Sequence, residues 1–259
     1  MRFALRLLKM VGLLVGVLLL TLGILLAVTF SGGRPIKDGE RLDGVEVVKD
    51  GYVSSFIVDV NDKNVILIDA GNDREAKPIL AALARRSLGA NAVRAILLTH
   101  GDRDHTAGAL AFPGAQVMAL GPDVALAEGR EARGIFKLVG SPRWNGIRIG
   151  RKLSDGEYFS ISSLGIRVFA VPGHTKGSAA FLIRNVLFIG DSAEVTKDGK
   201  LVPGRRLFTD SPAQNRASLR ALAKSLAPYA ADIKAIAPAH SGMLVAGLAP
   251  LTEFAASKE

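Results

Sequence analysis

At 259 residues, with 49% hydrophobic and 22% charged side chains, the chain has room for one large folded domain plus a short appendage, and it is too apolar to be disordered. It contains no cysteine, which excludes disulfides, thiolate metal sites, cysteine nucleophiles and lipid attachment through cysteine. Of the net charge of +9, Arg2, Arg6 and Lys9 supply three; the rest is spread as isolated Lys and Arg without a basic run interleaved with aromatics, so a solvated or headgroup-facing surface is expected and no nucleic-acid partner.

From Met10 to Phe30 there are 21 residues without a charge. As a helix rising about 1.5 Å per residue they would span roughly 30 Å, the thickness of a bilayer core. The basic residues precede this run, which places the amino terminus in the cytoplasm and the remainder outside. Arg34, Lys37 and Arg41 follow it, but with Asp38, Glu40 and Asp43 among them. A cleaved signal peptide is the alternative, with secretion as its outcome. Its apolar region usually runs about 7–15 residues, and Thr29-Phe30-Ser31 is a poor small-x-small cleavage site, so the uncleaved anchor is favoured. The expected organisation is an anchor over residues 1–31, a linker over 32–42 and a domain over 43–259, periplasmic in a Gram-negative cell.

Beyond the linker, short β-type runs alternate with turns. Val45–Val48, Tyr52–Val60 and Asn64–Ile68 read as strands, with Asn61-Asp62-Lys63 as a hairpin turn. Ile79, Leu80, Leu83 and Leu88 recur at helical spacing within 73–88, with Asp73 available as a cap. Further strands are expected at Arg94–Thr99, Ala115–Leu120, Tyr158–Ser162, Ile166–Val171, Ala179–Ile183, Val186–Ile189 and Lys234–Ala237. Helices are expected at Pro122–Glu128 and Pro212–Leu226, the latter capped by Ser211 and stopped before Pro228. Many strands with interspersed helices suggest two sheets flanked by helices.

One pattern recurs: an apolar strand ends, and a residue able to bind a metal follows at once or after one or two small residues or a proline. His100 follows Ala95–Thr99; His174 follows Val168–Val171; Asp191 follows Val186–Ile189; His240 follows Ile233–Ala237. Strand ends are rigidly held while their side chains project into a loop-lined cleft. All four histidines lie in this pattern or in the cluster His100-Gly101-Asp102-Arg103-Asp104-His105. For a lone histidine a structural role would be the better reading; the four together, with matching aspartates, favour a site for zinc, iron or manganese.

These elements resemble the metallo-β-lactamase superfamily, marked by a His-x-His-x-Asp-His segment followed by separated His, Asp and His. The likeness covers about residues 43–242. Ile68-Asp69-Ala70-Gly71 resembles the early Asp-x-Gly element, Thr99–Gly108 the ligand loop, Pro172-Gly173-His174-Thr175 the third element, Gly190-Asp191-Ser192 the fourth and Pro238-Ala239-His240-Ser241-Gly242 the fifth. The resemblance implies an α+β, four-layer αββα sandwich with two divalent metals at one edge, zinc by default. It implies that His100, Asp102 and His174 hold one ion, that Asp104, His105 and His240 hold the other, that Asp191 bridges them, and that Asp69 supports the ligands from behind. A metal-bound hydroxide would attack a carbonyl or phosphoryl centre, with Asp104 and Asp191 in catalytic roles.

Asp102 departs from the family pattern, which has histidine there. With three carboxylates the two-metal core becomes formally neutral, which predicts weaker Lewis acidity, a shift towards iron or manganese, or partial occupancy. Within the resemblance a bridging Asp191 goes with thioester, lactone and phosphoester hydrolysis. Glyoxalase-II-like members carry a further helical domain, which is not expected here because only 19 residues follow His240. The expected activity is therefore hydrolysis of a small-molecule ester, thioester, lactone or phosphoester outside the cytoplasm. A β-lactamase-type amide hydrolase and a non-catalytic metal-binding or sensor domain are the alternatives. The loop after Gly71 and the stretch Glu131–Ile149, with Trp144, are candidate pocket walls, and Thr196–Thr209 is a candidate lid or a plain solvated loop.

Overall fold

The computed structural model describes residues 2–134 and 145–257, and the chain divides into two compact units, Met1–Gly33 and Arg34–Glu259. In the first, Arg2–Ser31 form one helix of 30 residues, α1, on which Met10, Leu13, Leu14, Leu18, Leu19 and Leu20 are exposed. Among the described residues no helix is long and apolar enough to cross a membrane, so the expected membrane span is not supported.

The second unit is built on two sheets. The first has seven strands in sequence order: β1 (Arg41–Leu42), β2 (Val45–Asp50), β3 (Val53–Asn61), β4 (Asn64–Ile68), β5 (Val93–Leu97), β6 (Gln116–Leu120) and β7 (Arg151–Leu153). Strands β1 to β4 run antiparallel, while β4, β5, β6 and β7 are parallel neighbours. Helix α2 (Lys77–Ala84) makes the crossover from β4 to β5; short helices α3 (Arg103–Thr106) and α4 (Val124–Ala127) follow β5 and β6. The second sheet contains β8 (Tyr158–Ile161), β9 (Leu164–Ala170), β10 (Ala179–Ile183), β11 (Val186–Gly190) and β14 (Ala235–Pro238), in the order β14-β11-β10-β9-β8. Between β11 and β14 come a small hairpin, β12 (Ala193–Val195) with β13 (Leu201–Pro203), and helix α5 (Pro212–Leu226); helix α6 (Ala249–Ala256) closes the described chain.

Three apolar layers hold this together. Phe56, Ile66, Ile68 and Leu97 of the first sheet pack against Ile166, Phe181, Ile183 and Phe188 of the second, and Phe56 and Phe188 meet edge to face at 5.1 Å. Ile79, Ala82 and Leu83 of α2 cover the outer face of the first sheet, and Leu219, Leu222 and Leu226 of α5, with Leu251 and Phe254 of α6, cover the second. Each large side chain buried this way contributes about 1.5–3 kcal/mol. The layer order is the expected αββα sandwich.

Local differences from the sequence reading have identifiable causes. The helix expected over 73–88 is only eight residues long. The Asp73 carboxylate accepts from the Glu75 and Lys77 backbone N–H groups, and Ala76 is left-handed at φ 50°, so the helix cannot begin earlier. Helix α5 has the expected bounds, with Ser211 Oγ accepting from Gln214 N. The candidate lid Thr196–Thr209 comprises the turn of the β12–β13 hairpin, strand β13 and a single 3-10 turn at Arg206–Phe208. Residues 34 onward join the second unit through backbone bonds from Arg34 N to Val195 O and from Gly242 N to Arg34 O.

Candidate metal centre

Strands β4, β5, β9, β11 and β14 all end at one edge of the sandwich, and Asp69, His100, His174, Asp191 and His240 follow those ends. The sheets are joined there by main-chain bonds next to the candidate ligands: Ala179 N donates to Thr99 O at 2.7 Å, and Ser54 N to Ala239 O at 2.8 Å. Close approach demands glycine at several positions here, Gly101 and Gly190 among them. A Cβ on Gly101 would lie 2.6 Å from Ala127 N, and one on Gly190, at φ +52°, would lie 2.5 Å from Thr99 Oγ1.

All seven expected ligand residues converge. His100, His174 and Asp191 form one group of candidate metal-binding atoms and Asp104, His105 and His240 a second, each with its atoms within 4.8 Å of one another. Asp191 stands between them: Oδ1 lies 3.3 Å from His105 Nε2, and Oδ2 lies 3.0 Å from His240 Nε2 and 3.6 Å from His174 Nε2. Asp104 Oδ2 is 3.4 Å from His240 Nε2. Asp102 Oδ2 is 3.4 Å from both His100 Nε2 and His174 Nε2. Ligand atoms around a tetrahedral ion with bonds of about 2.0–2.1 Å stand about 3.3–3.4 Å apart.

Each imidazole is oriented from behind through Nδ1. His105 Nδ1 donates to Asp69 Oδ2 at 2.8 Å, and His240 Nδ1 to Tyr52 O at 3.0 Å. Thr99 Oγ1 donates to the same Asp69 oxygen and faces His100 Nδ1 at 3.1 Å; His174 Nδ1 faces Thr209 Oγ1 at 3.4 Å. All four Nε2 atoms are thereby turned inward. Those of His100 and His105, with Oδ1 of Asp191, are buried without a hydrogen bond. Inward lone pairs of this kind, in a set of imidazoles and carboxylates, fit a divalent ion.

The electrostatics agree. Burial opposes ionisation of Asp191, but the charges of His240 and His105 hold its carboxyl well below the usual range. Burial likewise opposes protonation of His240 and His105, yet Asp191 and its neighbours push His240 up to about 10 and His105 well above the usual histidine value. The cluster thus generates a field that draws in positive charge, whether a proton or a metal cation.

Two residues not singled out from the sequence shape the site. The buried Asp123 carboxylate accepts from Gly101 N at 2.8 Å, Thr175 Oγ1 at 2.8 Å and Gly177 N at 2.7 Å, tying the loop after β5 to the loop that carries His174. Arg133 forms a two-pronged ion pair with Asp102: Nε donates to Oδ1 at 2.7 Å and Nη2 to Oδ2. Arg133 Nη2 also lies 2.7 Å from His174 Nε2, and Nη1 donates to Phe208 O at 2.7 Å and to Asp210 Oδ1 at 3.2 Å. Neither had a motif to reveal it, although Arg133 falls in the expected wall Glu131–Ile149. Trp144 lies outside the described residues. Within the candidate lid, Arg205 pairs with Glu194 at 2.6 Å. A cavity of about 460 Å³ bounded by Asn64, Arg94, Gln116 and Ser162 opens at the opposite strand ends and contains none of the seven candidate ligands.

The sequence profile of the metallo-beta-lactamase superfamily matches residues 48–240. A hydroxyacylglutathione hydrolase from Aeromonas hydrophila is 33% identical over 167 residues, covering 63% of this chain and 53% of that protein; one from Yersinia enterocolitica is 28% identical, covering 71% and 61%. The chain thus spans between half and two thirds of the length of these curated relatives. Among solved structures, a B3 metallo-beta-lactamase with an active-site glutamic acid superposes with a TM-score of 0.65 at 20% identity, over 90% of each chain. A metallo-beta-lactamase family protein from Thermus thermophilus gives 0.59 at 24% identity, over 83% of this chain and 79% of that one.

Proposed function

The chain belongs to the metallo-β-lactamase superfamily, and from that membership we propose that it is a metal-dependent hydrolase of small-molecule esters, thioesters, lactones or phosphoesters. One observation carries the reading: the buried Nε2 atoms of His100 and His105 and Oδ1 of Asp191 have no hydrogen bond and belong to two adjoining groups of candidate ligands, while Nδ1 of each ring is held from behind. Asp104, His105, Asp191 and His240 would hold an ion at one position, and His100, Asp102 and His174 line the other. Zinc is the proposed metal, with iron or manganese as alternatives. Bound there, the ion supplies a lowered water pKa and polarisation of the substrate oxygen.

The protein's own groups do the rest. Asp69 and the Tyr52 carbonyl fix the tautomers of His105 and His240 by accepting from Nδ1. Asp104, the more solvent-accessible of the carboxylates beside His240, accepts and returns the proton. Tyr52 stacks on His240 at 5.6 Å and is itself half exposed, offering a ring surface to the substrate's apolar part. Thioesters lead the candidates because the curated relatives bear the name hydroxyacylglutathione hydrolase.

The test is metal analysis of the full chain together with turnover of chromogenic ester, thioester, lactone, phosphodiester and cephalosporin substrates. Metal-dependent turnover of an ester or thioester, lost in Asp104→Ala, is expected. Cephalosporin turnover alone would move the assignment to an amide hydrolase, and bound metal without turnover of any substrate to a binding or sensor domain. We propose that the site lies outside the cytoplasm, because in the sequence a run of 21 uncharged residues follows Arg2, Arg6 and Lys9. Recovery of the full chain in the soluble cytoplasmic fraction would remove that placement.

A further inference from the structure

We infer that Arg133 takes the place of the first metal ion, so that the protein binds one divalent cation, at Asp104, His105, Asp191 and His240, and uses a guanidinium as its second positive centre. This rests on the metal-dependent reading above and deepens it. The expected first position has three ligand atoms besides Asp191: His100 Nε2, Asp102 Oδ2 and His174 Nε2. One nitrogen of Arg133, Nη2, donates to Asp102 Oδ2 and lies 2.7 Å from His174 Nε2, so two of the three lone pairs are directed at it. The second prong, Nε to Asp102 Oδ1 at 2.7 Å, occupies the carboxylate's other oxygen.

His174 is suited to accept. Its Nδ1 faces Thr209 Oγ1, whose own proton goes to Arg205 O, so the proton of a neutral ring sits on Nδ1 and Nε2 is left as an acceptor. The guanidinium is also anchored independently of the ligands, by Nη1 on Phe208 O and on Asp210 Oδ1. It is therefore a built position rather than a side chain resting on a carboxylate. The substitution of Asp for the expected His at 102 then has a reason: a histidine would not accept a two-pronged guanidinium, whereas a carboxylate does so in its preferred geometry and cancels its charge. At the second position His105 Nε2 and Asp191 Oδ1 are buried without a hydrogen bond and lie 3.3 Å apart.

A planar cation at this place has a chemical use. Its N–H groups would bind the oxygen of a carbonyl, carboxylate or phosphoryl group through hydrogen bonds of fixed direction, and its charge does not depend on metal supply.

The experiment is equilibrium binding of Zn2+ and Co2+ to the full chain, with stoichiometry from elemental analysis and from the cobalt absorption spectrum. One ion per chain is expected for the wild type. In Arg133→Met, removal of a like charge from the first position should raise affinity for a second ion by about a hundredfold or more, giving two per chain. Because that variant leaves Asp102 without its partner, the double variant Asp102→His/Arg133→Met is measured beside it, and circular dichroism checks that each is folded. Two ions of similar affinity in the wild type would overturn the inference while leaving the metal-dependent reading intact. So would a folded variant that still binds only one. No ion in the wild type after reconstitution would overturn that reading itself.

Discussion

Asp69 and His105 are joined by a buried hydrogen bond of 2.8 Å, with Oδ2 accepting from Nδ1, while Oδ1 of the same carboxylate accepts from the Thr99 backbone N–H at 2.7 Å. One side chain thus orients a ligand ring and fixes the main chain immediately before His100. Thr99 Oγ1 donates to Oδ2 as well, so Asp69→Ala should leave three donors without their acceptor, costing about 1–3 kcal/mol for each that stays buried and unsatisfied, and should weaken metal affinity by roughly 10–100-fold. Chelator competition measures the second effect and urea unfolding of the metal-free chain the first; a variant unchanged in both would refute the role.

Three donors from two loops converge on the buried Asp123 carboxylate. Asp123→Ala is expected to destabilise the fold by about 3 kcal/mol or more, since hydrogen bonds to a charged group are the strong ones. If the carboxylate were needed only for charge, Asp123→Glu would restore stability. We expect it not to, because three donors fix the position of both oxygens.

Gly101→Ala places a methyl group 2.6 Å from a main-chain nitrogen of Ala127, where nothing flexible can yield. Overpacking of this kind costs about 1–3 kcal/mol. Gly114→Ala is the control, since its Cβ would meet nothing within 4 Å. Thermal unfolding of the pair should show a lowered Tm for the first and none for the second.

Glu194 gives a pH signature. Burial raises its carboxyl above the ordinary glutamate value of 4.5, although Arg205 draws it down. The folded chain therefore holds that proton more tightly than the unfolded chain does. The associated stability is complete below about 4.5 and is lost as the pH rises through the folded value. Glu194→Gln removes this loss, so wild-type stability should fall relative to the variant as the pH rises from 4.5 through the folded value. A difference in urea unfolding free energy that is constant with pH would contradict it.

The elements that hold the site were legible because their signals are local. Ala179–Ile183 has the same bounds in sequence and structure, and α5 runs from Pro212 to Leu226 as its cap and proline foretell. Among the candidate ligands, His100, His174, Asp191 and His240 could be read because each closely follows an apolar strand, and Asp102, Asp104 and His105 because they cluster with His100. What escaped was tertiary. The three-residue strands β7, β12 and β13 carry too few side chains to show a period and exist because a partner strand lies alongside. Helix α6 was not expected either; its Leu251 and Phe254 complete a layer begun by α5. Arg133 meets Asp102 across 31 residues of chain, a pairing without any spacing rule.

The seam at the ligand edge has a thermodynamic consequence. Asp69, His100, Asp104 and His105 follow strands of one sheet, and His174, Asp191 and His240 follow strands of the other. An ion shared by His105, Asp191 and His240 would therefore be bound only while the two sheets are stacked, and would act as a rivet through them. At a free concentration a hundred times its dissociation constant it would add about 2.7 kcal/mol to unfolding. Metal supply would then govern how long the folded chain survives heat or proteolysis, separately from whether it turns over substrate.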